Sequence, residues 1–279
     1  MATVELEISG GIAQITLNRP DKLNAIDASM LDAIERGLDE AEQNDDVRVV
    51  LLNGNGRAFS AGFDMTAPQP DDEDEQSRIE RIRRELQRDF DVIMRFWDCP
   101  KPTVAAVHGY CLGSAMEMTA VCDVTVAADD CRFGAPEVRY GNGIVCLILP
   151  WIVGLKNAKE LLLSGRTDIG APRALAIGLV NRVVGSGSLQ QAARETALQI
   201  AANDTLALRL TKQAINRSLE VAGMRQALQE ALEFDVRIET TETPESSAFN
   251  AIMEKEGLKA AINWRAAQVA ARNDNEEQR

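Results

Sequence analysis

The sequence predicts an α/β protein in which apolar strands alternate with helices and the C-terminal part is helical. Residues 47–53, 103–107 and 121–127 are short runs rich in apolar residues, separated by helical or turn-rich stretches. Strands that are apolar on both faces are typical of a sheet covered on both sides. The recurring order of strands followed by a helix favours a spiral of β-β-α units.

The N-terminal elements are predicted by local patterns. Residues 4–8 and 12–18 predict the two strands of a hairpin around Gly10 and Gly11. Asp27 is the predicted N-cap of a helix over residues 28–43, because Met30, Ile34 and neighbouring apolar residues share one face.

The pattern becomes helical from about Asp168 onward. Helices are predicted over residues 171–178, 189–203, 205–221, 224–240 and 244–268, with one further strand over 180–184. A soft boundary near Gly187 divides the chain into a core (residues 1–187) and a helical region (residues 188–279). The helices of that region are weakly amphipathic, so we expect them to pack on another subunit.

Composition and charge restrict the functional class. Of the 279 residues, 45% are hydrophobic and 26% are charged, as in a globular protein with a full core. The net charge of −13 argues against nucleic acid and against an anionic membrane surface as partners. The chain has no apolar run of about 18 residues and no basic segment preceding an apolar stretch at its N-terminus. We therefore expect a cytoplasmic location.

Cysteine and histidine usage excludes several chemistries. The five cysteines include no C-x-x-C pair, which favours buried thiols in a reducing compartment. Cys111 has no neighbouring base in the sequence. The single histidine, His108, ends an apolar strand and is interpreted as structural. A three-histidine zinc site is impossible, and no acidic cluster has metal-ligand spacing, so we expect no metal.

Two glutamates stand in unusual surroundings. Glu117 follows Gly-Ser-Ala-Met and is the only carboxylate between Thr103 and Cys122, and Glu137 follows Phe-Gly-Ala-Pro. A carboxylate in an apolar segment is costly unless it is paired or used. Two carboxyls that share a proton form an acid–base pair, because like charges drive their pKa values apart. The alternative is that both are surface residues beside turns.

Two glycine-containing loops each follow a buried strand. The first spans residues 57–65 and the second residues 109–117, and small residues in both allow a ligand to approach the backbone. If a helix opens at Ser114, its first N–H groups point outward. Two such N–H groups converging from the two loops would form an oxyanion hole. A phosphate-binding loop is the alternative, but no G-K-[ST] or G-x-G-x-x-G motif is present.

Taken in order, five motifs resemble the crotonase (enoyl-CoA hydratase/isomerase) superfamily. They are N-R-P-D-K-L-N-A from Asn18, A-G-F-D from Ala61, G-S-A-M-E from Gly113, C-D at Cys122, and F-G-A-P-E from Phe133. The resemblance runs from about Val4 to Val184. It implies a crotonase-like spiral of β-β-α repeats with a helical C-terminal trimerisation region, assembled as a homotrimer or a dimer of trimers. It also implies an acyl-coenzyme A substrate of fatty acid metabolism, with no cofactor besides the coenzyme A carried by the substrate.

The same resemblance assigns roles to particular residues. It implies that Glu117 and Glu137 are catalytic and that the backbone N–H groups of Phe63 and Ser114 form the oxyanion hole. Family members often carry glycine at the position of Ser114, but the donor is main-chain and survives the change. The residues expected along the CoA moiety and substrate are Lys22, Leu23, Asn24, Ala25, Ala61, Gly62, Asp64, Met65 and Gly113.

The implied reaction is hydration of 2-enoyl-CoA to 3-hydroxyacyl-CoA, with the two glutamates holding a water. In the family, the counterpart of Glu117 is usually drawn as the base and that of Glu137 as the acid. The alternative is a Δ3,Δ2-enoyl-CoA isomerase or another crotonase-type lyase, because isomerisation needs only one carboxylate. A serine peptidase of the related Clp-like fold would need a histidine where Glu137 stands. A non-catalytic CoA-binding scaffold is the remaining class.

Two segments depart from the family pattern. After Glu137, the family's Gly-rich turn with Thr-Gln-Arg is replaced by an apolar segment from Ile144 to Trp151, which is expected to reshape the acyl pocket or exclude water. A Pro-rich stretch at residues 67–70 precedes an acidic run, Asp71 to Glu75. We expect this loop to be mobile and to stay away from the CoA phosphates, which Arg78, Arg81 or Arg84 would face.

Overall fold

The computed structural model describes residues 2–66 and 73–277, with side chains up to residue 269. The Pro-rich stretch and the first two carboxylates of the acidic run lie outside the described residues. Nine strands are described: β1 Val4–Ser9, β2 Ile12–Leu17, β3 Val49–Gly54, β4 Thr103–Val107, β5 Tyr110–Leu112, β6 Val124–Ala128, β7 Arg132–Gly134, β8 Ile169–Gly170 and β9 Arg182–Val184.

The described helices fall into two groups along the chain. Those up to residue 176 are α1 Ala28–Gln43, α2 Glu75–Asp98, α3 Ser114–Ala120, α4 Glu137–Tyr140, α5 Leu149–Ile152, α6 Gly154–Ser164 and α7 Ala171–Ala176. The later ones are α8 Leu189–Ala201, α9 Thr205–Val221, α10 Met224–Thr240, α11 Pro244–Glu256 and α12 Leu258–Glu277. Short 3-10 turns occupy Pro20–Lys22 and Ser186–Ser188.

The described strands form a large and a small sheet. The large sheet has the order β1-β2-β3-β4-β6-β9, in which β1 and β2 are antiparallel and the other pairs are parallel. In the small sheet, β5 and β7 pair in parallel and β8 pairs with β7 antiparallel. Two isolated β-bridges fix the loop after β3. Phe63 pairs with Ile26, which precedes α1, and Ser60 pairs with Cys111 of β5.

The large sheet is buried on both faces, as its apolar strands predict. Side chains alternate across a strand, so Leu51 and Val104 pack with α8 on one face. Leu52 and Ala105, their neighbours in sequence, face the larger core, which is built with α1, α2 and α3. The α/β fold with a helical C-terminal part is therefore confirmed.

Most predicted elements are found within a few residues of their expected ends. Helix α1 starts after Asp27, whose carboxyl accepts the N–H of Met30 at 2.9 Å. The strand predicted over 121–127 begins only at Val124, because Val121 still donates its N–H to Glu117 O at the end of α3. The single helix predicted over 244–268 is wrong. It is interrupted at Gly257, where the backbone is left-handed with φ 87°.

The C-terminal helices contact the core of their own chain. Leu189, Ala193 and Ala197 of α8 are buried against the large sheet. Helix α9 is attached by Lys212, whose ammonium lies 2.8 Å from Asp123 Oδ2 and also donates to Phe96 O and Lys101 O. The division of the chain at residue 187 stays a prediction. Among the described residues, no helix is long and apolar enough to cross a membrane.

Candidate active site

A fully buried asparagine fixes the loop that follows β3. The Asn24 amide donates to three carbonyls, those of Asn55, Ala58 and Phe59, at 2.8–3.0 Å. Its Oδ1 accepts the N–H of Arg19 at 2.8 Å. Asn24 therefore satisfies backbone carbonyls that would otherwise be buried without a donor. The structure thus gives a scaffold role to this motif residue, which the sequence placed along the CoA.

The two glycine-containing loops are joined by main-chain hydrogen bonds. Ser60 donates its N–H to Tyr110 O at 3.0 Å and accepts the N–H of Leu112 at 3.1 Å through its own carbonyl. Gly62 has φ 90°, and a Cβ there would lie 2.9 Å from Leu112 O. Only glycine allows this approach without strain. The contact brings residues 62–63 next to the start of α3.

Two main-chain N–H groups near the junction of these loops have no acceptor among the described residues. Within residues 2–66 and 73–277, no carbonyl or side chain accepts the N–H of Phe63 or that of Ser114. Ser114 is the first residue of α3, where N–H groups have no acceptor inside the helix. Unpaired N–H groups of this kind are what an oxyanion hole would use, and that role for Phe63 and Ser114 stays a prediction.

Glu117 lies one turn into α3 and is 3% exposed. Its Oε2 accepts the N–H of Cys146 at 2.9 Å. Burial raises the pKa of the Glu117 carboxyl well above its usual value, and the nearby charge of Glu137 raises it further. Cys146 belongs to the apolar segment that departs from the family pattern, so this segment directly positions Glu117.

Glu137 begins the short helix α4 and turns back toward the start of α3. Its Oε1 lies against the Cα of Gly113, where a Cβ would overlap it. Its Oε2 is buried and has no hydrogen-bond partner in the part of the chain that the structure describes. Burial raises the pKa of this carboxyl to about 7. The charge of Glu137 acts on Glu117, so the two predicted glutamates are neighbours, with Glu117 buried and Glu137 half-buried.

The other predicted substrate-contacting residues line the approach to these loops. Lys22 is exposed, whereas Leu23, Ala25, Ala61 and Met65 are half-buried. Asp64 forms an ion pair with Arg19 at 3.1 Å. Although partial burial opposes it, hydrogen bonds from Thr66 and Arg19 hold the pKa of Asp64 below its usual value. Among the described residues Lys22 forms no ion pair, whereas Asp64 is paired with Arg19.

The arginines of α2 differ in their availability to a polyanion. Arg81 pairs with Glu73 and Glu85, each at 2.9 Å. Arg78 donates to the backbone carbonyl of Glu239 at 3.3 Å. Arg84 is exposed. The prediction that one of these side chains faces the CoA phosphates stays a prediction.

Three acidic residues near the site were missed by sequence reasoning. They are Asp89 on α2 and Asp235 and Glu239 on α10. Burial raises the pKa of both Asp89 and Asp235 to about 7. The sequence does indicate the two carboxyls on α10. One helix face, by its spacing, carries Leu228, Leu232, Asp235 and Glu239. Two carboxyls on a buried apolar face are unusual and should have been noted.

The single histidine and the buried Cys111 have surroundings that indicate structural roles. His108 Nε2 lies 2.9 Å from Gly56 O, so this ring links two loops. Cys111 is fully buried, and burial raises the pKa of its thiol to about 12, which opposes thiolate formation. The side chains that the structure describes include no group of three or more His, Cys, Asp or Glu residues able to hold a metal ion.

The mainly parallel α/β sheet with a helical C-terminal part is the architecture of a crotonase-fold protein. The enoyl-CoA hydratase/isomerase family model matches residues 7–260. The chain belongs to this family.

Individual relatives are similar to this chain over most of their own length. A short-chain-enoyl-CoA hydratase of Clostridium acetobutylicum is 35% identical over 238 residues, covering 83% of this chain and 86% of the relative. The crystal structure of an enoyl-CoA hydratase/isomerase from Xanthobacter autotrophicus Py2 superposes with a TM-score of 0.90 at 45% identity, covering 95% of this chain and 98% of that one. An enoyl-CoA hydratase from Mycobacterium smegmatis gives a TM-score of 0.85 at 27% identity, covering 94% and 92%.

Proposed function

We propose that this protein hydrates 2-enoyl-CoA thioesters to 3-hydroxyacyl-CoA. The observation that carries the proposal is the neighbouring pair of a buried carboxyl, Glu117, and a half-buried one, Glu137, whose Oε1 lies against Gly113 at the start of α3. The names of the relatives, several of them enoyl-CoA hydratases, support the same substrate class.

In the proposed reaction, the thioester oxygen accepts hydrogen bonds from the N–H groups of Phe63 and Ser114. Negative charge grows on this oxygen as water adds to Cβ, and each donor stabilises that charge by roughly 3 kcal/mol. Because the donors are already fixed by the loop contacts, little reorganisation is needed during the reaction.

The two glutamates carry the proton transfers in this proposal. One ionised carboxylate removes a proton from the water as the new O–Cβ bond forms, and the protonated partner delivers its proton to Cα. At the end of a turnover the pair again holds one proton, now on the other carboxyl. Their proximity and burial support such sharing, because two adjacent buried carboxylates cannot both be ionised cheaply.

The substrate-binding role of the motif residues is part of the proposal. Lys22 through Ala25 and Ala61 through Met65 would line the CoA moiety, with Gly113 beside the thioester. Lys22 and Arg84 are exposed cations available for phosphates. Asn24 and Gly62 would act through the loop geometry that they maintain.

The test is to follow loss of the conjugated thioester absorbance on incubation with crotonyl-CoA and longer 2-enoyl-CoAs. We expect hydration by the parent protein. If no 2-enoyl-CoA is hydrated while 3-enoyl-CoA is converted to the 2-enoyl isomer, the hydratase proposal is wrong.

A Δ3,Δ2-enoyl-CoA isomerase is the second candidate. The segment beside Glu117 is strongly apolar and buried, with Cys146 and Ile148 fully inaccessible to solvent. Such a lining disfavours a bound water and suits a proton shuttle by a single carboxylate. The incubation with 3-enoyl-CoA described above decides between the two reactions.

We further propose a homotrimer or a dimer of trimers. Leu206, Leu210 and Ile215 of α9 and Leu155 and Leu163 of α6 are large apolar side chains that are at least half exposed in the single chain. Apolar surface of this kind is typical of an interface. Sedimentation equilibrium measures the assembly directly. A monomer at micromolar concentration would contradict the proposal.

A further inference from the structure

Asp235 is a buried carboxyl without a hydrogen-bond partner. It is 2% exposed, and neither Oδ1 nor Oδ2 has a donor among the described residues. A buried acceptor left unpaired is costly, and the cost is greater if it is charged. Ordered water, an ion or a functional contact with a ligand explains such a group in native structures.

The surroundings of Asp235 are rich in acceptors and poor in donors. The charges of Glu239, Glu137 and Asp89 all act on it. Glu239, one turn further along α10, already accepts the Asn142 amide at 3.0 Å and the Gly143 N–H at 3.2 Å. In the part of the chain that is described, no arginine or lysine forms an ion pair with Asp235 or with either site glutamate. Asp235 thus keeps acceptor capacity that no side chain of the described residues fills.

Asp235 adjoins the candidate active site. Its Oδ1 lies against the Cα of Gly143, where a Cβ would overlap the carboxyl. Three residues along this segment, Cys146 donates its N–H to Glu117. The charge of Asp235 also acts on Glu117. Asp235 therefore contacts the segment that positions Glu117, and its charge interacts with those of both site glutamates.

We propose that Asp235 selects acyl chains that carry a hydrogen-bond donor, either a hydroxyl or an ammonium group, beyond the reacting carbons. This inference rests on the proposed function, because it takes the acyl group to lie between Glu117 and Glu137. A plain hydrocarbon chain would leave Asp235 buried and unpaired. A chain with a donor would satisfy it, and sites built to bind a polar substrate group reject analogues that lack it.

The test measures binding of unreactive ligands by isothermal titration calorimetry. The ligands are saturated short-chain acyl-CoA thioesters of matched length that end in a methyl, a hydroxyl or an ammonium group. We expect the parent protein to bind a donor-bearing thioester about 10- to 100-fold more tightly than the methyl one, as for a hydrogen bond to a charged group. The hydroxyl and ammonium ligands identify the kind of donor.

Variants at Asp235 separate recognition from folding. Asp235→Leu should prefer the methyl thioester. The isosteric Asp235→Asn should lose any preference for ammonium while it keeps part of that for hydroxyl, since its amide oxygen still accepts. Glu230→Gln, which changes an exposed residue of the same helix, should behave as the parent.

Two results would overturn this inference. One is that the parent binds the methyl thioester at least as tightly as both donor-bearing thioesters. The other is that the Asp235 variants keep the preference of the parent. Because binding of saturated thioesters requires no hydration, failure of the hydratase proposal would appear separately, as absence of turnover of crotonyl-CoA.

Discussion

At the scale of single residues, the candidate site combines a buried carboxyl, Glu117, with a half-buried one, Glu137. Glu117 receives one main-chain hydrogen bond, and Glu137 Oε2 receives none within the described residues. These contacts are too few to stabilise a negative charge on both carboxyls at once. The pair is therefore more stable when one of the two carboxyls is protonated. In the proposed mechanism, this shared proton supplies both the acid and the base.

Replacement of either glutamate by glutamine should lower kcat strongly. Glu117→Gln and Glu137→Gln each remove one proton-transfer group but preserve size, so we expect a loss of about 10²- to 10⁴-fold with little change in KM. Steady-state hydration of crotonyl-CoA measures both. Full activity in either variant would remove that residue from the mechanism, and Glu230→Gln is the matched control.

The rate should depend on pH near neutrality. Burial places the pKa of Glu137 at about 7, and that of Glu117 is also raised. Below about pH 7 both carboxyls become protonated and no base remains, so kcat should fall as pH decreases through this range. A pH profile of kcat at saturating substrate tests this expectation. A constant kcat from neutral pH down to about pH 5, the usual carboxyl range, would contradict it.

Position 113 requires glycine for two reasons, its backbone conformation and the closeness of the Glu137 side chain. It has φ 57°, and a Cβ would overlap Glu137 Oε1. Gly178 also has a left-handed backbone, with φ 79°, but nothing lies within 4 Å of its Cβ position. Gly178→Ala should lose about 1 kcal/mol of stability from backbone strain. Gly113→Ala should lose more, because its Cβ also overlaps Glu137 Oε1, and it alone should lose activity, because it displaces Glu137. Thermal denaturation and turnover of both variants provide the comparison, and equal activities would contradict it.

At the scale of elements, regular segments were predictable and the segment after Glu137 was not. Helices α9 and α10 were predicted with the observed ends, because N-caps, glycines and apolar spacing encode them locally. Residues 141–148 take their shape from distant contacts: Glu239 holds Asn142 and Gly143, and Cys146 binds Glu117. Such contacts leave no periodic pattern in the sequence.

Contacts between distant segments also determine the roles of motif residues, and local sequence patterns do not show them. Sequence reasoning found the C-D motif at Cys122 but assigned Asp123 no task. The structure shows that Asp123 Oδ2 accepts the N–H of Thr103 at 2.7 Å and pairs with Lys212 of α9. A carboxylate's partner on another element cannot be identified from local spacing, although the glutamate pair was recognisable from its unusual apolar context.

Burial of Asp235 on helix α10 should make the free energy of unfolding depend on pH. Its pKa rises from 3.8 to about 7 on folding, mainly through burial. The folded protein then binds more protons than the unfolded chain between these values, so stability is greatest at low pH and decreases as pH rises toward 7. Asp235→Asn should therefore gain stability relative to the parent at pH 8, by on the order of 1–3 kcal/mol, and gain much less near pH 4.

Chemical denaturation of the parent, Asp235→Asn and Glu230→Gln at both pH values measures this difference. The exposed Glu230 control should show no such pH-dependent gain. An Asp235→Asn variant that is less stable than the parent at pH 8 would show that the carboxylate is compensated in the folded protein.

At the scale of the whole molecule, the C-terminal helices are connected to the sheet through a buried cation. Lys212 is 8% exposed and reaches Asp123 and two main-chain carbonyls. Removal of one partner of a buried ion pair leaves the other charge uncompensated. We expect Lys212→Ala to lose about 2–4 kcal/mol of unfolding free energy, somewhat less than for a fully buried pair, because Asp123 keeps its Thr103 contacts.

Urea denaturation compares this variant with Lys156→Ala, in which the lost lysine is exposed on α6. The Lys156 variant should remain within about 0.5 kcal/mol of the parent. Equal stabilities for the two variants would contradict the structural role of Lys212.

The most direct test of the whole account is a crystal structure with a saturated acyl-CoA bound. We predict that the thioester oxygen lies about 2.7–3.1 Å from the N–H nitrogens of both Phe63 and Ser114. The carboxyls of Glu117 and Glu137 should flank Cα and Cβ of the acyl group. A thioester oxygen bound away from either N–H group, or an acyl chain directed away from the two glutamates, would contradict the proposed mechanism.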